Sequence, residues 1–395
     1  MINLSPFLNS LVPQVFGTCD PKFQAVADVF EQNLTVRGGQ GDVGASCAVM
    51  IDGEMVVDLW GGYADVTEQR VWQEDTLCCC WSVSKTVGTV LTLMMVDRGL
   101  IDLDAPVAAY WPEFGANGKD AVLVRHVLNH TAGVSYVDAA IQPGKVNDWD
   151  TMIAAIEATA PNWPAGTQLG YLNMTHGYLL GELCTRVNGG RRLAQFFQED
   201  LAQPLNLDWF FSAPDDVIPR LATVYQLDPD LFARLIEGDP DSAFAKSMKG
   251  RDPAETYNSL TWRKAENGAG TSHANARAIA RLYGTLARGG TLDGVEILSA
   301  DRLAQAQTQT VREKDAVSGL EMRFSTGFEM NCPPATPMGP SDRCFGYIGA
   351  GGSYAFADPD KKLGFGYSHN VMHQGVGPGP CGLPLVEAAM HTAYA

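Results

Sequence analysis

Hydrophobic positions along the chain change period twice. Near both ends they alternate or cluster in blocks of strand length, and through the middle they recur with helical spacing. Residues 22–34, KFQAVADVFEQNL, carry apolar side chains on one helical face. ASCAVMIDGEMVVDLWGGYAD then reads as two strands joined at Asp52-Gly53, a dipeptide suited to a tight hairpin turn. A helix is expected after Ser82, running to about Arg98, with Gly99 as its left-handed stop before the irregular IDLDAPVAAYWPEF. From there to about residue 290 helical patterns alternate with glycine- and proline-rich loops. VRHVLNHTAG ends one helix, while MTHGYLLGELCTRVNG and SHANARAIARLYGTLARGG predict two more, each closed by glycine. Residues 237–270 are polar and predict loops. Residues 354–370 predict another hairpin, turning at Asp358-Pro359-Asp360, and LPLVEAAMHTAY a closing helix.

This order predicts an α/β protein. Residues 1–80 and 290–395 should form an antiparallel sheet flanked by helices and built from both chain termini. Residues 81–289 should form a mostly helical inserted domain, with the helix after Ser82 at the interface.

Composition narrows the function classes. The 395 residues are 46% hydrophobic and 18% charged, as in a globular chain, and leave room for two subdomains. A formal net charge of -17 repels phosphate backbones and anionic lipid, so neither nucleic acid nor membrane is an expected partner. The longest apolar run, VGTVLTLMMV, falls short of the roughly 20 residues a bilayer span needs. MINLSPFLNSLVPQVFG lacks the basic start and continuous apolar core of a signal peptide. The nine cysteines include the consecutive Cys78, Cys79 and Cys80 and no CxxC, which argues against a disulfide framework. A reducing, cytoplasmic location is the expectation.

The candidate chemistry begins in CCCWSVSKTVGTVLTLMMVDRGL. Ser82 and Lys85 stand three residues apart at a helix start, on one face. A serine hydroxyl needs a base to become a nucleophile, and a lysine serves when burial lowers its pKa. Trp81, Val83, Val87 and Val90 promise such a dry setting. The free N–H groups of the helix start can steady an oxyanion beside Ser82. The bland alternative is a capping serine beside a solvated lysine. Against it, this S-x-x-K is unique in the chain and lies between two apolar stretches. Ser84 points elsewhere, and the cysteine triplet reads as core filling.

Two further stations follow. Tyr171-Leu172-Asn173 offers a second proton carrier in Tyr171, with Asn173 able to hold Lys85 or a substrate carbonyl. The glycine-dense FGYIGAGGSYAF lets a substrate lie against backbone at Tyr347, Gly349 and Gly351. Trp81, Tyr136, Tyr347 and Trp262 are candidate aromatic pocket walls. His126 and His130 stand four apart without a third ligand, so no metal is expected. No G-x-S-x-G occurs, and GGQGDVG lacks a following helix, so no nucleotide or other cofactor is expected.

Taken in order, these segments resemble the serine β-lactamase-like superfamily: class C β-lactamases, D-alanyl-D-alanine carboxypeptidases and especially family VIII carboxylesterases. WSVSKTVGTVLTLMMVDRGLIDLDAPVAAYWPEF is similar to the family's nucleophile helix. VRHVLNHTAGV is similar to a structural landmark of the family, and WPAGTQLGYLNMTHGYLLGEL to its tyrosine motif. NGAGTSHANARAIARLYGTLARGG and GAGGSYAFADPDKKLGFGYSHN are similar to its late helix and active-site strand. The resemblance implies a β-lactamase/transpeptidase-like fold. It implies Ser82 as the acylated nucleophile, Lys85 and Tyr171 as general base and acid, and an oxyanion hole from the N–H groups of Ser82 and Ala350. The chain departs from the family at its third motif. Tyr347-Ile348-Gly349 replaces Lys-Thr-Gly, and the lost lysine, a carboxylate binder in the family, shifts the expectation toward neutral esters. The expected function is a cytoplasmic serine carboxylesterase acting on small to medium esters. Alternatives are an acyltransferase using the same acyl-enzyme, a β-lactamase or D-amino-acid amidase, and an inactive ligand-binding relative.

Overall fold

The computed structural model describes residues 14–35, 41–251, 256–373 and 377–395. Strand β1 (Val15–Cys19) leads into helix α1 (Gln24–Thr35). Strands β2 (Gly44–Ile51) and β3 (Glu54–Asp65) form the hairpin predicted at Asp52-Gly53. Asp52 (φ 48) and Gly53 (φ 94) both take the positive φ that a two-residue hairpin turn requires. Helix α2 (Lys85–Asp97) follows the short turn Trp81–Ser84, and Gly99 (φ 70) ends it as expected. Helix α3 (Thr175–Val187) and helix α4 (Ala276–Ala287) complete the central region.

The late sheet begins earlier than the sequence pattern predicts. Strands β4 (Val311–Lys314), β5 (Glu321–Phe324) and β6 (Glu329–Met330) precede β7 (Phe345–Ile348), β8 (Tyr354–Asp358) and β9 (Leu363–His369), and helix α5 (Gly379–Tyr394) closes the chain. The strand order is β1-β3-β2-β9-β8-β7-β6-β5-β4, with neighbours antiparallel throughout. The β9–β2 pairing joins the two ends of the chain into one sheet, matching the predicted fold class.

One sheet face is covered by α1 and α5, which bury Phe30, Leu34, Leu385 and Met390 against Val57, Phe356 and Phe365. On the other face α4 lies so close to β9 that a Cβ on Gly364 would meet Gly284 N at 2.1 Å, so glycine is required there. Helix α4 falls inside the central stretch of sequence yet packs on the sheet. Helix α2 is buried almost all round, as its largely apolar composition dictates, and Leu180 of α3 packs against it at Gly88. A small sheet of Cys78–Cys79, His273–Ala274 and Trp209–Phe210 anchors the chain just before Ser82. The cysteine triplet fills core as predicted: all three thiols are buried, and burial pushes Cys79 up to about 11. All nine cysteines are free.

Candidate active site

The turn that presents Ser82 is held from below. Cys80 N–H donates to the Ser272 carbonyl (2.9 Å), and the Cys80 carbonyl accepts from Val83 N–H (3.1 Å) and Ser353 Oγ (3.1 Å). Trp81, immediately before Ser82, sits at φ 43, a left-handed conformation that costs a non-glycine residue energy and persists only where its surroundings enforce it. Ser84 points away and shares a 2.6 Å hydrogen bond with Ser272, in keeping with its rejection as the reactive serine.

Lys85 is fully buried, and its Nζ lies 3.2 Å from Ser82 Oγ. The ammonium also donates to the backbone carbonyls of Asn173 (3.0 Å) and Ala269 (3.2 Å), and stands 4.7 Å from the Tyr171 ring centre. Burial lowers its pKa to about 7, against an upward pull from Glu329. The Tyr171 hydroxyl interacts with both Ser82 and Glu329. Burial, reinforced by the Glu329 charge, raises the phenol well above its usual range.

Tyr171 is fixed from two sides. Its backbone N–H donates to Asp315 (2.6 Å), and its ring stacks on His130 at 4.8 Å. His130 Nδ1 accepts the Leu172 N–H (2.9 Å), which places the ring proton on Nε2, 3.4 Å from the Tyr347 hydroxyl. Tyr347 in turn donates to the Gly327 carbonyl (2.9 Å). The expectation that Tyr347 touches substrate is therefore corrected. Its side chain is wholly buried behind His130, because strand alternation turns it away from the cleft that Ile348 borders.

The other expected residues divide similarly. Ser82, Tyr171, Asn173, Ala350, Trp81 and Trp262 line one cleft. Tyr136 is not among its walls; Lys246 lies over its ring instead. Asn173 holds Lys85 through its backbone carbonyl, and its side chain points to Ser247 (3.4 Å) and Met248 (3.1 Å). Gly349 and Gly351 do not border the cleft either; they shape the turn that presents Ala350. A Cβ on Gly349 would meet Ser353 Oγ at 2.0 Å and Cys80 O at 2.7 Å, and Gly351 sits at φ 82 against Met372.

Sequence reasoning missed Glu329, a fully buried carboxyl on β6 at the back of the cleft. Its pKa is pushed up to about 8 by burial, against the lowering effects of the Ile348 N–H (3.3 Å) and Lys85. The signal was a lone acid between Phe328 and Met330, where no solvent-facing alternation accounts for it. The predicted loops at 237–270 also contain short helices, Ala243–Ser247 and Leu260–Arg263, preceded by Leu231–Gly238. These supply Phe232, Phe244, Met248 and Trp262 to the cleft.

His126 and His130 share no metal-binding face. The helix Val124–Leu128 ends between them, His126 caps it by accepting the Leu123 N–H (3.2 Å), and His130 turns inward at φ 61. Asp42, His369 and His373 do bring donor atoms within 4.8 Å of one another. However, Asp42 already accepts from both rings and from Tyr367. His369 Nε2 and His373 Nδ1 meet no acceptor, whereas a metal-bound imidazole passes its second N–H on to one. The cluster is that of a buried carboxylate satisfied by hydrogen-bond donors.

The nucleophile turn, the buried lysine and tyrosine and the two-ended sheet together define a β-lactamase-like serine site. A sequence profile described as Beta-lactamase matches residues 27–379. The chain belongs to the β-lactamase family and is a hydrolytic enzyme. It is 31% identical over 370 residues to the Esterase/beta-lactamase LipL of Mycobacterium tuberculosis, covering 90% of this chain and 83% of that one. The solved structure of a family VIII carboxylesterase superposes with a TM-score of 0.84 at 35% identity, covering 96% of this chain and all 100% of the other. A penicillin-binding protein homolog from Caulobacter crescentus gives 0.85 at 35% identity, covering 96% and 100%. Among the described residues no helix is long and apolar enough to cross a membrane.

Proposed function

We propose that the protein is a serine carboxylesterase that hydrolyses small to medium esters through an acyl-enzyme on Ser82. The observation that carries this reading is the 3.2 Å approach of Lys85 Nζ to Ser82 Oγ at the floor of an open cleft, with Lys85 titrating at about 7. A base with that pKa is half free near neutrality, which suits proton transfer at pH 7.

Ser82 Oγ attacks the ester carbonyl carbon, and its proton passes to the free amine of Lys85, directly or through the Tyr171 hydroxyl, which hands its own proton to Lys85 as it takes the serine's. The carbonyl oxygen, now an alkoxide, takes hydrogen bonds from the N–H groups of Ser82 and Ala350, which such a site provides before the reaction begins. Collapse expels the alcohol, which leaves with the proton held by Tyr171 and Lys85. Water then attacks the acyl-enzyme along the same proton path and releases the acid. An ester substrate is supported by the apolar cleft wall and by relatives that carry esterase names.

The test is intact-mass analysis after treatment with a fluorophosphonate, beside p-nitrophenyl butyrate hydrolysis, for wild type and Ser82→Ala. One adduct and turnover in wild type, both lost in the variant, are expected. A folded wild type with neither overturns the reading.

A further inference from the structure

The cleft over Ser82 is walled mainly by Trp81, Met174, Phe232, Phe244, Met248 and Trp262. Among its described lining residues Arg251 alone carries a fixed positive charge. Its guanidinium carbon lies 5.4 Å from the Tyr257 ring, 5.7 Å from Trp262 and 6.0 Å from Phe232. One of its five N–H groups donates to the Tyr257 hydroxyl (3.0 Å). Arg186, Arg191, Arg220, Arg277 and Arg302 all pair with carboxylates, but among the described residues none stands within ion-pair distance of Arg251.

A half-buried guanidinium set among aromatic rings, with donors to spare, is suited to a planar two-oxygen acceptor. Aromatic faces orient such a cation without neutralising it. Among the described residues no other element supplies a cation to this wall. Strand β7 lends the cleft only Ile348, and Lys85 is committed to Ser82 and two carbonyls. A chain of contacts links Arg251 to the turn that bears Ser82. Trp81, the neighbour of Ser82, meets the Tyr257 ring edge-on at 5.9 Å, and Tyr257 holds Arg251.

From this arrangement we infer that the cleft takes esters bearing a carboxylate, which Arg251 binds across the aromatic wall from the scissile bond. The inference rests on the esterase reading and deepens it, and it replaces the expectation of neutral esters drawn from the third motif alone. The net charge of -17 slows the approach of an anion, so the arginine acts on the bound complex, through orientation and discrimination, more than on encounter.

The test uses p-nitrophenyl butyrate as the neutral ester. p-Nitrophenyl hemiglutarate carries a carboxylate on the acyl side, and 4-butyryloxybenzoate carries one on the leaving group. Arg251→Met is expected to lower the anionic-to-neutral ratio of kcat/KM at least about tenfold for one of the two anionic esters, with Arg251→Lys intermediate. A ratio unchanged for both anionic esters overturns the inference, and so does a uniform loss on all three. Should Arg251→Met not fold, Arg251→Gln carries the same comparison. Wild-type turnover of the neutral ester reports separately on the esterase reading. If wild type turns over none of the esters, hemiglutarate binding to Ser82→Ala, read by quenching of cleft tryptophan fluorescence, decides the role of Arg251. Weaker binding in Ser82→Ala/Arg251→Met supports it, and equal binding overturns it.

Discussion

Asp42 and Glu329 are both buried carboxyl groups, and their surroundings push them in opposite directions. Asp42 is ringed by donors: His369 Nδ1 at 3.1 Å and His373 Nε2 at 3.2 Å reach one oxygen, and the Tyr367 hydroxyl reaches the other. Burial alone would raise its pKa, but these partners outweigh it and hold the carboxyl well below the usual carboxylate range. Glu329 has one weak backbone donor and a tyrosine, and burial wins, pushing it up to about 8. Asp42 is therefore an ionised structural anchor between β9 and the chain entering β2. Glu329 is raised and Lys85 lowered toward the same range, and the two interact electrostatically, so protons in that cluster belong to a coupled set. Burial by itself does not mark a reactive site. What marks it is burial left electrostatically incomplete, at the edge of a cleft.

The sharpest separation of the two regions comes from the proton carriers. Tyr171→Phe and Lys85→Ala should each lower kcat by about 10²- to 10⁴-fold in steady-state ester hydrolysis with the fold intact. Asp42→Ala should do the reverse. It should cost about 3–5 kcal/mol in denaturant unfolding, because two rings and a phenol lose their acceptor, while kcat/KM of the folded fraction stays within a few-fold. Asp42's folded pKa lies below its unfolded one. Its stabilisation is thus complete above about pH 4 and drains away as pH falls further. Asp42→Asn should flatten that acid limb.

Glu329→Gln probes the other carboxyl. Glu329's folded pKa lies above its unfolded one, so its contribution to stability is present below about pH 4 and is lost as pH rises through about 8. The variant should be more stable than wild type at pH 9, by on the order of 1–2 kcal/mol. The Glu329 charge favours protonated Lys85, so its removal should also move the acid limb of kcat/KM to lower pH. A limb that stays in place would detach Glu329 from the proton path. Smallest should be Tyr347→Phe, which removes one of two donors to the Gly327 carbonyl and leaves the Thr89 hydroxyl (2.8 Å) in place. A loss of about 1–2 kcal/mol is expected, with kcat/KM within about threefold, read by thermal unfolding and the same ester assay.

The parts of the site that sequence made visible depend on short-range geometry. Ser82 and Lys85 meet because i and i+3 share a helix face, and Gly99 stops the helix because glycine takes φ 70 at no steric cost. Long-range relations stayed hidden. Glu329 lies on a strand of only two residues, too short for alternation to register, and its partners come from distant segments. Alternation does place Tyr347 and Ile348 on opposite faces, but which face borders the cleft is set by sheet packing. The apolar wall from Phe232, Phe244 and Met248 was masked by the polar residues around it. His126 and His130 suggested a shared face only as long as the helix was assumed to continue past Leu128.

The described residues between Leu231 and Arg263 form three short helices and give no strand to the main sheet. They nevertheless supply Phe232, Phe244, Met248, Arg251, Tyr257 and Trp262 to the cleft. On the proposed reading, much of the wall that would meet a substrate comes from one stretch of sequence, and Ser82, Lys85 and Tyr171 come from others. Substitutions in 231–263 are then expected to change what is accepted and leave those three residues in place. A transplanted or randomised 231–263 segment offers a direct route to altered selectivity, and natural drift in that segment would let close relatives diverge in diet while sharing a mechanism.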